Sequence, residues 1–282
     1  MIRTKAAMRG FRLGIMVSGM SLLAAAPAFA QQDTSAHAAI AAAETNINLS
    51  VGFMHTGYSE GPPDSENGFT PGFRIGASVL VPSALPDIDL YSALFYQFNA
   101  GNLTYNGHYL FSGQPLTATD RAVFNNIGAR LGLGFPLAGG AVEAIPYLTG
   151  GYQSWNRNIE NKGVIGTDEF YSTGLVGGGL KLDIPLTATI VASGSAEALA
   201  LVGSHISYDS LGIGADMGSS AEERVSLGLD DAVSGPLHLQ ASADWTHFNY
   251  AGNKPSYASY GYFEPLSNTT QVGVNLGLSY SF

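Results

Sequence analysis

The feature that most constrains the fold is a hydrophobic alternation of period two, which recurs in ten segments between Thr45 and Phe282. Successive side chains of a β-strand point to opposite faces, so each segment predicts a strand with one apolar and one polar face. In the last segment Val272, Val274, Leu276, Leu278, Tyr280 and Phe282 share the apolar face. In residue numbers, the ten predicted strands are about 45–58, 72–81, 88–102, 121–135, 142–155, 169–184, 188–208, 224–230, 237–250 and 271–282.

The connections between these segments alternate strictly in length. Short ones lie near Pro82, Pro136, Pro185 and Pro236, and long polar ones begin near Ser59, Leu103, Asn156, Ser210 and Ala251. In an antiparallel meander, alternate connections lie at opposite ends of the sheet. Short turns at one end and long loops at the other are typical of transmembrane barrels, with the turns periplasmic and the loops extracellular. The pattern predicts a closed antiparallel up-and-down barrel that is entirely β, with about ten strands and eight as the alternative.

A soluble barrel of the lipocalin type, with its apolar residues turned inward, would show the same alternation. Two properties of the polar faces favour the membrane barrel. They are rich in glycine, which suits a crowded lumen, whereas a soluble surface favours Lys and Glu. They also carry few charges, since Asp, Glu, Lys and Arg make up 12% of the chain against about 25% in soluble domains.

Seven charged residues on the polar faces are the candidates for a lumen network: Arg74, Arg130, Lys181, Asp183, Glu197, Arg224 and Asp244. Buried charges are costly unless they are paired, so one interpretation is a plug in which these residues neutralise one another. The other interpretation is an ion-selective constriction. Barrels of eight strands are about filled by side chains, and ten strands lie near that filled end.

The first 30 residues have the pattern of a cleaved secretory signal peptide. Arg3, Lys5, Arg9 and Arg12 precede an uncharged stretch, and small residues at Ala28 and Ala30 form an A-x-A-like cleavage site. Residues 31–44 are expected to be a periplasmic leader, either flexible or a short helix from Ala36 to Glu44. Residues 45–282 would then form the barrel.

Charge and cysteine content exclude several functions. Without residues 1–30 the chain has 8 basic and 22 acidic side chains, a net charge of −14, and phosphate binding needs clustered Lys and Arg. Nucleic acid is therefore not an expected partner. The chain contains no cysteine, so disulfides and a cysteine-linked lipid anchor are excluded.

The C-terminal segment resembles the terminal strand of bacterial outer-membrane β-barrel proteins, with alternate apolar residues, Tyr280 and a final Phe282. The chain looks closest to the small barrels of the OmpA transmembrane-domain and opacity-protein class, which commonly have eight strands. The resemblance implies a multi-pass protein of a Gram-negative outer membrane. It also implies that the last strand is an assembly signal for the barrel assembly machinery. Periplasmic chaperones, outer-membrane lipids and lipopolysaccharide would be further partners.

No catalytic, cofactor-binding or metal-binding motif stands out. The six histidines are dispersed with no pair at zinc-ligand spacing, and the glycine clusters lie within strands rather than before a helix. Acidic residues in the long connections, such as Glu66 and Glu222, are more simply solvated than bound to calcium. His205 and Asp209 share a strand face, so an outer-membrane hydrolase is a distant alternative.

Aromatic residues predict where the membrane surfaces lie. Tyr58, Tyr96, Phe98, Trp155, Phe170, Tyr208, Trp245 and Tyr250 are expected in a girdle at the loop end, with Phe135, Tyr280 and Phe282 at the turn end. The cluster Tyr257, Tyr260, Tyr262 and Phe263 is a candidate for contact with an extracellular ligand, or for packing over the barrel mouth. The sequence favours a non-enzymatic barrel with a structural or surface-interaction role, and a narrow porin-like channel is the alternative.

Overall fold

The structure is a computed structural model, and it describes residues 34–61, 64–109, 112–161, 164–209, 212–252 and 264–282. One α-helix and eleven β-strands lie in these ranges, together with a short 3-10 turn at Ala138–Gly140: α1 (Thr34–Glu44), β1 (Asn46–Glu60), β2 (Asp64–Leu85), β3 (Ile88–His108), β4 (Pro115–Leu137), β5 (Val142–Asn161), β6 (Val164–Pro185), β7 (Ile190–Tyr208), β8 (Ile213–Asp216), β9 (Ser220–Ser234), β10 (Leu237–Phe248) and β11 (Ser267–Ser281). Over these residues no helix has both the length and the apolar character needed to cross a membrane. The predicted signal peptide and the aromatic cluster at 257–263 lie outside the described residues.

Ten of the strands form a closed antiparallel ring, which confirms the predicted fold and strand count. Each strand from β1 to β7 pairs with the next, β7 pairs with β9, and β9, β10 and β11 follow in order. The ring closes where β11 pairs with β1, from Asn46 opposite Ser281 to Glu60 opposite Ser267. The short strand β8 pairs with the outer end of β7, from His205 opposite Asp216 to Tyr208 opposite Ile213. Because the ring is closed, none of its ten strands is an open sheet edge.

The apolar residues cover the outside of the cylinder. On β11 the side chains of Val272, Val274, Leu276, Leu278, Tyr280 and Phe282 are 49–66% exposed, and Ile47, Leu49, Val51 and Phe53 of β1 continue the same surface. A continuous exposed apolar belt is not stable in water, so it must be covered by lipid. With a polar interior, this is the arrangement of an outer-membrane β-barrel, and the soluble barrel with an apolar interior is excluded.

Five strands are much longer than the membrane requires, which corrects the predicted loops. β2 to β6 contain 20–23 residues each, against about 9–11 needed to cross the bilayer. The first predicted loop, from Ser59, is mostly paired strand: β1 continues to Glu60, and β2 begins at Asp64. Beyond the membrane both faces of a strand are polar, so the apolar alternation disappears although the strand continues. The long connections after β1, β3 and β5 are therefore largely β-hairpins that extend above the membrane.

Apolar side chains inside the barrel fall into two separate clusters. The cluster at the turn end joins Ile40 and Ala43 of α1 to Leu80, Tyr91, Ile145 and Val191 of the wall. The cluster at the loop end is larger and is rich in aromatic residues. These clusters explain why the register of the fifth strand could not be predicted: Ile145, Tyr147 and Trp155 of β5 point inward and are buried, while Leu148 and Tyr152 point outward.

Candidate functional site

The seven charged residues singled out from the sequence all face the lumen, where the structure places them in three groups rather than one network. Arg74 Nη2 lies 3.3 Å from Asp244 Oδ2, across the β1–β11 seam. Arg130 Nη2 is 3.2 Å from Glu197 Oε2, and Arg224 Nη1 is 3.7 Å from the same oxygen. Lys181 Nζ is 3.1 Å from Asp183 Oδ1. Each cation thus has a carboxylate partner, which offsets much of the cost of its burial.

These groups surround a chamber of about 300 Å³ in the middle of the barrel. Its wall contains Arg74, Arg130, Lys181, Arg224 and Asp244, together with the amides of Gln97, Asn126, Gln153, Gln240 and Asn275. One end of the chamber touches Ala43 and Glu44 of α1, and the other touches Phe124, Trp155 and Tyr250. The chamber therefore lies between the helix and the outer aromatic cluster.

Helix α1 lies inside the turn end of the barrel. It contacts β2, β5, β6, β7, β9 and β11, which are on different sides of the ring. Ile40 is fully buried against the wall, and Glu44 forms an ion pair with Lys181. His37 Nε2 is 2.6 Å from Asp89 Oδ2 on β3. The segment expected to be a leader thus occupies the turn-end opening of the lumen.

At the loop end, Arg157 is the centre of a buried charged cluster that the sequence analysis did not identify. Its guanidinium donates to Glu66 Oε1 at 2.5 Å, to Glu169 Oε2 at 2.6 Å and to the Tyr171 hydroxyl at 3.0 Å. Arg157 and Glu66 are each 1% exposed. We call Tyr58, Glu66, Trp155, Arg157, Glu169, Tyr171, Tyr208, Tyr250 and Glu264 the outer seal.

Stacked aromatic rings extend the outer seal across the lumen. Ring centroids are 5.0 Å apart for Phe124 and Trp155, 5.6 Å for Trp155 and Tyr171, and 5.2 Å for Tyr171 and Tyr250. The Arg157 guanidinium lies 4.6 Å from the Tyr58 ring centroid, within the range of a cation–π contact. Stacking and the central cation together hold these large side chains in one layer.

The predicted aromatic girdle is wrong for four of its members. Tyr58, Trp155, Tyr208 and Tyr250 are buried inside the barrel, whereas Tyr280 and Phe282 are exposed on the outside at the turn end. The inward position of Tyr58 could be predicted from the alternation along β1, because Tyr58 shares its face with the inward-pointing Asn46 and Ser50. For Tyr208 a bulge intervenes, since Gly203 has φ 61° and the β6–β7 register shifts beside it.

Glu264 anchors the segment before β11 to the outer seal. Its two side-chain oxygens accept hydrogen bonds from the Tyr171 hydroxyl at 2.7 Å and from the Tyr208 hydroxyl at 3.0 Å. Burial, followed by repulsion from Glu169 and Glu60, raises the pKa of Glu264 from an ordinary 4.5 to about 8. The group therefore keeps its proton at neutral pH, where it carries no charge into the buried cluster.

The residues considered for hydrolysis and calcium binding have other surroundings. His205 Nδ1 is 2.9 Å from Asp216 of β8, and Asp209 instead accepts a hydrogen bond from Ser207. The His205–Asp209 contact on which the distant hydrolase alternative depended is not formed, because β8 places a different carboxylate beside the imidazole. Glu66 and Glu222 are buried in the lumen rather than solvated. Both residues belong to strands, Glu66 to β2 and Glu222 to β9, rather than to loops.

Comparisons with known proteins give distant likenesses only. No family model matches the sequence, and no curated protein matches it. A major outer membrane protein from Thermus thermophilus aligns at 15% identity and a TM-score of 0.39, over 84% of this chain and 99% of that chain. Neisserial surface protein A aligns at 15% identity and a TM-score of 0.33, over 84% and 97% of the two chains. The toluene transporter TodX of P. putida aligns at 10% identity and a TM-score of 0.35, over 89% and 93%.

Proposed function

We propose that this outer-membrane barrel is a non-enzymatic protein whose lumen is closed at rest, and that it acts in envelope structure or in contacts at the cell surface. The observation that carries the proposal is the double closure: α1 fills the turn end, and the outer seal fills the loop end. A solute would have to displace buried groups at both ends in order to cross. The long hairpins supply the surface for contacts outside the cell.

A gated channel is the second candidate, and the chamber favours it. A barrel that needed only rigidity could fill its centre with packed side chains, yet about 300 Å³ of space, with charged and amide side chains in its wall, remains here between the two closures. In this candidate, displacement of α1 and of the outer seal would connect the chamber to both sides of the membrane.

Single-channel recording in planar lipid bilayers tests the proposal. The wild-type protein should give no conductance steps. A matched variant that lacks residues 34–44 and carries Trp155→Ala and Tyr171→Ala should give steps, because both closures are weakened. The steps of this variant would show that the barrel inserts, so that silence of the wild type reports a closed lumen. Regular steps from the wild-type protein would reject the closed resting state.

A further inference from the structure

Three side chains from three elements meet where α1 enters the barrel. His37 of α1, Asp89 of β3 and Glu143 of β5 each bring one ligand atom to within 4.8 Å of the others. His37 Nε2 is 2.6 Å from Asp89 Oδ2 and 3.7 Å from Glu143 Oε2. The backbone amide of Ser83 donates to the other Asp89 oxygen at 2.7 Å, which fixes the orientation of that carboxylate.

Glu143 is the observation that points to a ligand. Its side chain is 0% exposed, and neither carboxylate oxygen has a hydrogen-bond partner among the described residues. Burying a carboxylate without a partner is costly. The surroundings add to this cost, because Asp89 lies in the same cluster and Asp183 is the direct cross-strand neighbour of Glu143. A cation between the carboxylates would remove both penalties.

A glycine on the neighbouring strand makes room for the Glu143 carboxylate. A Cβ at Gly134 would overlap Glu143 Oε1 and would lie 3.0 Å from the Cβ of Asp89. Any side chain at this position of β4 would therefore push the two carboxylates out of place. The space left by Gly134 is what allows them to converge on His37.

We propose that His37, Asp89 and Glu143 bind one divalent cation, with an imidazole nitrogen and two carboxylate oxygens as ligands and water in the remaining position. Such a mixed nitrogen and oxygen set suits Zn²⁺. Coordination through His37 Nε2 requires that the neutral imidazole carries its single N–H on Nδ1, the nitrogen that is not a ligand. Because one ligand lies on α1 and two lie on the barrel wall, the bound ion holds the helix inside the turn end of the barrel.

Zinc titration of the folded full-length protein in detergent tests this site. The protein is produced without a polyhistidine tag, stripped with a chelator and titrated with ZnCl₂ in a calorimeter. We expect one Zn²⁺ per barrel. Glu143→Gln and His37→Gln should each weaken binding at least about tenfold, since outer-shell changes alone cost 10–100-fold. Gly134→Ala should weaken it as well, because it displaces the Glu143 carboxylate.

The matched control is His205→Ala, which removes the exposed His205–Asp216 pair at the opposite end of the barrel and should leave the titration unchanged. Heat-modifiable gel mobility, the shift between folded and heat-unfolded barrel, selects folded samples of every variant. His37 belongs to α1 and not to a strand of the ring, so His37→Gln keeps the test valid if Glu143→Gln does not fold. The absence of saturable binding, or affinity that is unchanged in both Glu143→Gln and His37→Gln, would overturn the proposal.

Discussion

Loss of the Arg157 side chain should destabilise the barrel strongly. It is nearly fully buried and is hydrogen-bonded to Glu66 and Glu169. Removing one partner of a buried ion pair leaves an uncompensated charge, which typically destabilises a protein by about 3–5 kcal/mol. Arg157→Ala should lower the free energy of unfolding by about this amount. Urea unfolding of the barrel in lipid vesicles would measure it.

Arg121 supplies a matched control on the adjacent strand. Its guanidinium is 3.0 Å from Glu160, but both side chains are largely exposed. Exposed ion pairs contribute about 0–1 kcal/mol, so Arg121→Ala should change stability by less than about 1 kcal/mol. Equal losses for the two variants would contradict the special role of the buried cluster.

Glu264 should make the outer seal dependent on pH. When the segment around Glu264 detaches, the carboxyl is solvated and regains its ordinary pKa near 4.5, whereas in the docked state the pKa is about 8. The docked state therefore holds a proton between these values that the detached state has lost, and docking weakens as pH rises from about 4.5 to 8. Amide hydrogen exchange of residues 264–269, corrected for intrinsic rates, should show protection falling over this pH range.

Glu264→Gln is the control for this pH dependence. The amide oxygen can still accept a hydrogen bond from the Tyr171 or Tyr208 hydroxyl, but the side chain no longer titrates. The protection of residues 264–269 should then be nearly constant over the same pH range. If Glu264→Gln kept the full pH dependence of protection, a group other than Glu264 would be responsible for it.

At the scale of the elements, the membrane-crossing parts of the strands could be predicted from the sequence because lipid and lumen impose opposite polarity on alternate residues. The parts above the membrane could not, since both faces are polar there, as in the run from Asp64 to Asn67 of β2. Inward charges such as Arg74 and Asp244 could be assigned to the lumen by parity. Their pairing across the seam depends on barrel closure, which a single strand does not encode.

The contacts of α1 with the wall and the outer seal could not be predicted from the sequence for a different reason. Their side chains break the rule that the lumen face is polar: Ile145 and Trp155 are apolar yet point inward. Each has a partner that is distant in sequence, Ile40 on α1 in one case and Tyr58 on β1 in the other. Contacts across the lumen follow from the closed ring, so the sequence suggested an ambiguous strand where the structure has two internal clusters.

The tip of the β3–β4 hairpin, residues 106–117, should be dispensable for folding. Tyr105 and Ala118 are opposite each other in the register, so residues 106–117 can be replaced by Asn-Gly, which forms a two-residue hairpin turn. The deletion removes the partly exposed His108–Asp64 ion pair, which should lower the free energy of unfolding by about 0–1 kcal/mol. The folded fraction by gel mobility should match the wild type. An unfolded product would show that this tip takes part in assembly.

At the scale of the whole molecule, α1 is a separate piece that closes a cylinder which is already complete. The ten-stranded ring is closed by the pairing of β1 with β11, and no ladder of the ring includes α1. Lys181 keeps Asp183 as a partner when Glu44 is removed. Deletion of residues 34–44 should therefore leave a folded barrel whose chamber is open to the periplasmic side.

The absence of native cysteine makes this opening measurable with a single thiol. Ser195 lines the chamber, so Ser195→Cys should react slowly with a small methanethiosulfonate reagent while α1 is in place and markedly faster once residues 34–44 are deleted. Ser59→Cys, at an exposed position on β1, should react rapidly in both backgrounds and serves as the control for reagent delivery. Rapid modification of Ser195→Cys with α1 present would mean that the helix does not seal the turn end, and slow modification after its deletion would mean that the wall itself closes the chamber.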